Sequence, residues 1–287
     1  MSGSASTDAP ALPAGSGVVA VVATGAADLP AARVAARTFA DLHPGAGALL
    51  VVADRELSGE DVLPALGTLD LTMGPAARAV LRSAAEPAAF AAPWAVAAAL
   101  DRGARAAVLL GARQWVLGGL GDLIDAAGTH GLSVAGAVDR RLTPAEAARA
   151  LAAPRIHPAP LACAATLGGR DALRWWKHAL MGGAPPAGVL ELLPGAVGAA
   201  VVHRPGLVVR AAAAAEAELT HSWAGYCCAG RVIGVADFTG ADGYDAPSHG
   251  VGADLFWEYG RRLFADGRGP RDGAPGFGPA EGALARR

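Results

Sequence analysis

The chain has 287 residues with 17% charged side chains, 53% apolar ones and a formal net charge of -2. That length can bury a substantial core, and the absence of a basic excess excludes phosphate-backbone binding as the main task, so nucleic acid is not an expected partner. The three cysteines, Cys163, Cys227 and Cys228, form no disulfide framework, which points to a reducing, cytoplasmic setting.

Residues 1–16 are rich in Ser, Ala, Pro and Gly and lack the basic start and apolar run of a signal peptide, so they read as a disordered leader. Gly17 to Thr24 is an apolar run suited to a parallel strand buried on both faces. Asp28 is placed to cap a helix with Pro30 in its first turn, and Val34, Phe39 and Leu42 continue at helical spacing to Pro44-Gly45. A second strand follows from Ala48 to Ala53, ending at Asp54. This order of elements predicts a right-handed βαβ unit.

A short helix is expected from Pro75 to Ala84, and another from Pro93 to Arg102, opened by proline and stopped by Gly103. The central strand, Ala106 to Leu110, empties into a turn at Gly111-Ala112-Arg113 before the chain resumes at Trp115 to Leu117. Ligands of open α/β sheets bind at the carboxyl ends of such strands. This turn offers a glycine, a methyl group and one guanidinium, with no carboxylate, histidine or hydroxyl.

Downstream, Leu120 to Ala127 reads as helix, Leu132 to Ala137 as strand, and Thr143 to Glu146 as a capping box. Leu161 to Leu167 is expected as strand and Asp171 to Met181 as helix, with Trp175 and Trp176 as its core and rim and Gly168-Gly169 as turn glycines before it. Extended runs follow at Ala199 to Val202 and Leu207 to Arg210. A last strand is expected from Arg231 to Phe238, and a closing helix from Gly252 to Phe264. Residues 265–287 read as a disordered tail. No apolar stretch is long enough for a membrane span. Alternating strands and helices predict one three-layer α/β/α domain over residues 17–264 with a mostly parallel sheet.

The order of several short words resembles that of GT-A-fold glycosyltransferases, the nucleotide-diphospho-sugar enzymes. They are Ala32-Arg33-Val34-Ala35 with His43-Pro44-Gly45-Ala46, Pro93-Trp94 leading through Leu100-Asp101-Arg102-Gly103 into Val108-Leu109-Leu110, Leu117-Gly118-Gly119-Leu120, Leu173-Arg174-Trp175-Trp176, and Asp237-Phe238-Thr239-Gly240. The resemblance implies a nucleotide-sugar donor as ligand, near Thr24, Gly111 and Arg113, and a catalytic role for Asp237. Family members carry an Asp-x-Asp metal motif where this chain has Gly111, Ala112 and Arg113. A His-Phe-Ser-Gly-like turn is replaced by the one at Asp237. Pro160, Ala187 and the Val209 to Ala214 run stand where polar residues are usual, which predicts an apolar cleft.

These departures imply weak metal and nucleotide binding, with no divalent metal expected. They favour a pseudo-glycosyltransferase, either a partner subunit or a repurposed small-molecule biosynthetic protein. The alternative is a metal-independent glycosyltransferase in which Arg113 neutralises the donor diphosphate. Arg113 and Asp237, on opposite sides of the vacated metal position, are expected to form a salt bridge. A protein partner or small-molecule acceptor, in a homo- or hetero-oligomer, completes the expectation. Asp139 beside Arg140 and Arg141 reads as a solvated turn. His221, Cys227 and Cys228 match no closed four-ligand zinc spacing.

Overall fold

The computed structural model describes residues 17–53, 73–137, 156–204, 206–210, 219–228, 230–239 and 250–265. The expected leader and tail, Asp54, Asp139 to Arg141, the Thr143 to Glu146 box, Ala211 to Ala214 and Gly240 lie outside these residues. The first βαβ unit forms as its apolar runs require: β1 (Val18–Thr24), α1 (Leu29–Leu42) and β2 (Gly47–Val52). A single 3-10 turn, Ala26–Asp28, leads into α1. Then come α2 (Pro75–Ser83), α3 (Pro87–Asp101), β3 (Ala106–Leu110), β4 (Gln114–Val116), α4 (Gly121–His130) and β5 (Leu132–Gly136). The second half holds β6 (Ile156–Ala164), α5 (Leu167–Met181), α6 (Pro186–Val197), β7 (Ala200–Val202) and β8 (Val208–Arg210). The chain continues through β9 (Leu219–Ser222), β10 (Gly225–Cys228), β11 (Arg231–Val232), β12 (Val235–Asp237) and α7 (Gly250–Ala265).

Six strands form the central sheet in the order β2-β1-β3-β6-β5-β7. β1 runs parallel to β2 and β3, β6 is antiparallel to both β3 and β5, and β5 is parallel to β7, so β6 alone is reversed. Alternation along the strands sends Val19, Val21 and Leu109 into one apolar layer under α2, α3, α5 and α6, and Ala20, Val22, Val108 and Leu110 into another under α1 and α4. Two faces covered by helices are what strands without a polar side require. The result is a three-layer α/β/α architecture with a mostly parallel sheet.

Several elements depart from the sequence reading where proline or glycine is involved. Pro93 sits inside α3, which Pro87 opens. β6 begins at Ile156 and carries Pro158 and Pro160, and the Ala159-Pro160 bond is cis. Gly168 and Gly169 belong to the first turn of α5, whose N-cap Thr166 accepts a hydrogen bond from the Gly169 amide at 3.2 Å. A Cβ on Gly169 would collide with the carbonyl oxygens of Ala164 and Gly131. Glycine is therefore selected there by close backbone approach, not by a turn. The expected last strand is two: β11 belongs to a hairpin sheet, β11-β10-β9, and β12 to a third sheet, β4-β12-β8. The break falls at Gly234, where a Cβ would lie 2.6 Å from the Arg204 guanidinium and 2.7 Å from the Leu207 carbonyl oxygen.

One glycine of α4 and one of α5 should respond oppositely to one methyl group. Gly169→Ala should destabilise the fold by about 1–3 kcal/mol or more through overpacking. Gly128→Ala, inside α4 where nothing lies within 4 Å of the new Cβ, should stabilise it by about 0.4–1 kcal/mol. Urea midpoints of the two variants against the parent check both signs.

Candidate functional site

The carboxyl ends of β1 and β3 and the third sheet meet around the Gly111 to Arg113 turn. The chain turns at Gly111, whose carbonyl accepts from the Gln114 amide at 3.2 Å, and the Gln114 side chain, 1% exposed, folds back over it. The Gly111 amide donates to Gln114 Oε1 at 2.9 Å, and Gln114 Nε2 donates to the Ala159 carbonyl at 2.8 Å. A Cβ on Gly111 would meet the Gln114 side chain at 3.1 Å, so the small residue makes room for the amide. One buried amide thus ties β3, β4 and β6 together at the point where a ligand would be expected.

Arg113 is drawn to a different carboxylate from the expected one. Its Nε and Nη2 each lie 2.9 Å from Asp28 Oδ1, the partners being 85 residues apart. The Arg113 to Asp237 salt bridge is therefore corrected: Asp28, read as a helix cap, makes no side-chain cap bond and takes the guanidinium instead. Asp237 is 5% exposed, and its Oδ1 accepts from the Thr239 amide at 2.9 Å, closing a turn within its own segment. It remains a close neighbour of the turn, because its backbone pairs with Gln114 and the Phe238 amide donates to the Arg113 carbonyl at 2.9 Å.

Beneath these groups lies an aromatic floor. Phe238 and Tyr259 stack with centroids 4.0 Å apart, Trp115 stacks on Tyr259 at 6.4 Å, and Arg262 covers the Trp115 ring at 5.0 Å. Burial pushes the Tyr259 phenol well above its usual range; Arg113 opposes the shift, and Asp28 and Asp237 add to it. The phenol is a neutral hydroxyl amid two carboxylates and a guanidinium. Thr24, placed with donor binding by the resemblance, is 1% exposed at the end of β1, with its hydroxyl 3.0 Å from the Gly25 carbonyl.

Of the apolar replacements, Pro160 adjoins the Ala159 carbonyl that Gln114 binds, and Val209 is buried in β8 beside β12. Ala187 lies in the first turn of α6, in the layer opposite α1, and is exposed. The structure thus brings together Gly111, Arg113, Asp237 and Pro160 and adds Asp28, which the sequence reading assigned to a cap, and Gln114, to which it gave no role. A polar residue directly after a ligand-end turn was the available signal for Gln114.

Cys163 lies in the central sheet, and Cys227 and Cys228 lie in the β9-β10 hairpin, where Cys228 shares an apolar cluster with Val209. Cys163, in β6, has its thiol pushed up to about 12 by burial, with Arg170 opposing, so it is inert toward thiolate chemistry. In the β9-β10 hairpin His221 pairs with Tyr226 and Cys227 with Thr220, which puts the imidazole and the Cys227 thiol on opposite faces. Among the described residues no three His, Cys, Asp or Glu side chains cluster as metal ligands. None of the described helices is long and apolar enough to cross a membrane.

The two kinds of contact at the turn should differ in weight. Gln114→Leu leaves a buried amide and carbonyl unbonded and should cost about 1–3 kcal/mol. Arg113→Ala or Asp28→Ala removes a pair about one-third exposed and should cost less than about 1 kcal/mol. Chemical denaturation of the three variants gives the comparison directly.

No protein-family model matches the chain, and no curated protein matches it. Among solved structures, a mannose-1-phosphate geranyltransferase from Thermus thermophilus is similar over 60% of this chain and 67% of that one, with 18% identity and a TM-score of 0.34. A likeness at that level adds nothing to the site. The strand order and the two apolar layers establish a three-layer α/β/α fold with a mostly parallel sheet.

Proposed function

We propose that this chain is a pseudo-glycosyltransferase: a transferase-like fold whose donor site is closed by contacts within the protein. It serves as a partner subunit or as a repurposed small-molecule biosynthetic protein. The observation that carries the reading is the engagement of each polar group at the β3 turn. Gln114 is bonded to Gly111 and Ala159, Arg113 to Asp28, and Asp237 to Thr239. A metal-bridged diphosphate needs oxygen ligands for a hard cation, and the side chains of Gly111, Ala112 and Arg113 supply none.

One observation favours the second reading, a metal-independent glycosyltransferase. The Arg113 to Asp28 pair is about one-third exposed and lies where the 14-residue helix α1 begins. A diphosphate could compete there with Asp28 for the guanidinium and be helped by helix N–H groups. In that reading Arg113, Gly111 and Thr24 hold the donor and Asp237 is the catalytic carboxylate.

Calorimetric titration with a panel of nucleotide-sugars, with and without manganese, separates the two. The first reading expects no binding tighter than about 1 mM in either condition. Tight manganese-dependent binding would sink both. Metal-free binding that Arg113→Ala abolishes without loss of stability would replace the first reading by the second.

A further inference from the structure

A histidine outside the candidate site joins two elements through both of its ring nitrogens. His43 ends α1, and its Nδ1 lies 3.0 Å from the Phe39 carbonyl, one turn back in the same helix. Its Nε2 lies 3.2 Å from the backbone nitrogen of Leu120, the residue that caps α4. The Phe39 ring stacks on the imidazole with centroids 4.2 Å apart and planes inclined by 17°. A carbonyl can only accept and a backbone N–H can only donate, so the two contacts together require the neutral tautomer with the proton on Nδ1.

We propose that His43 is a proton-sensitive clamp between the end of α1 and the start of α4, holding the Leu120 amide when neutral and releasing it when protonated. A second ring proton occupies the lone pair that accepts from Leu120 and turns an acceptor into a donor facing a donor. The Phe39 contact survives, because Nδ1 keeps its proton and the carbonyl end of a helix favours a cation. Protonation therefore does not eject the ring from α1. It breaks one named bond.

The surrounding charges fit a local effect. On α1, Asp41 and Arg37 are exposed. On α4, Asp122 pairs with Arg204 at 3.2 Å, and Asp125 follows one turn into the helix. The same Arg204 nitrogen donates to the Gly119 carbonyl at 3.1 Å. Gly119 and Leu120 are thus held from two sides, one side insensitive to pH and the other dependent on a histidine. Upstream, the Leu117 and Gly118 amides both donate to the Gly234 carbonyl. The segment that His43 helps to hold is the connection from β4, the strand that carries Gln114, to α4.

The test is amide exchange at Leu120 in the full chain, followed by NMR between pH 5 and 8 and corrected for the intrinsic pH dependence of exchange. Ring nitrogen shifts of His43 are recorded alongside. The expected result is an unprotonated Nε2 at pH 8 and a loss of Leu120 protection of about two- to tenfold that tracks His43 protonation, the size of one net hydrogen bond. His43→Phe keeps the stacking on Phe39 and should show the low protection at every pH. Leu120 protection that stays flat while His43 titrates, or a pH step that persists in His43→Phe, would overturn the clamp. If that variant does not fold, the parent titration decides alone.

Discussion

The chain leaving β3 must reverse into a different sheet within three residues, and the buried amide of Gln114 is what holds that reversal. Its oxygen accepts from the turn and its nitrogen donates to β6, so neither a carboxylate nor an alkyl chain of the same size could replace it. From this fixed point β4 runs antiparallel to β12, and β12 places Asp237 and Phe238 against the turn. The orientation of Arg113 toward Asp28 follows, since its carbonyl is held by Phe238 while its side chain projects back toward the start of α1.

Much of the fold was legible because apolar periodicity is a local signal. The runs at Gly17 to Thr24 and Ala106 to Leu110 suited doubly covered strands, and Val34 and Phe39 marked the buried stripe of α1. Proline and glycine misled the reading, because their local meaning yields to tertiary fit. Pro93 lies in a helix already begun at Pro87, and Gly169 is required by carbonyls from two other segments. The split between β11 and β12 depends on the Arg204 side chain lying over Gly234, which no window of sequence contains.

The nearness of Arg113 and Asp237 was legible in the sequence, and the partner of Arg113 was not. That Arg113 and Asp237 lie beside one turn follows from a strand end and a last-strand motif. That Arg113 chooses Asp28 depends on the path of the chain between β1 and α1, where a capping rule took precedence. The consequence for function is specific. A guanidinium neutralised by a neighbouring carboxylate brings little positive charge to an incoming diphosphate, and the polar groups nearest it already have partners.

The third sheet is assembled from pieces that are far apart in the chain. β4 follows the central strand closely, yet its partner β12 and that strand's parallel neighbour β8 belong to the last third of the sequence. During synthesis Trp115 and Val116 therefore emerge long before the strand and the helix that bury them. Contacts of such sequence separation slow folding, and an apolar strand waiting without its partner is exposed to wrong pairing. The nascent chain is thus vulnerable at the strand that carries Gln114, the residue that holds the turn after β3.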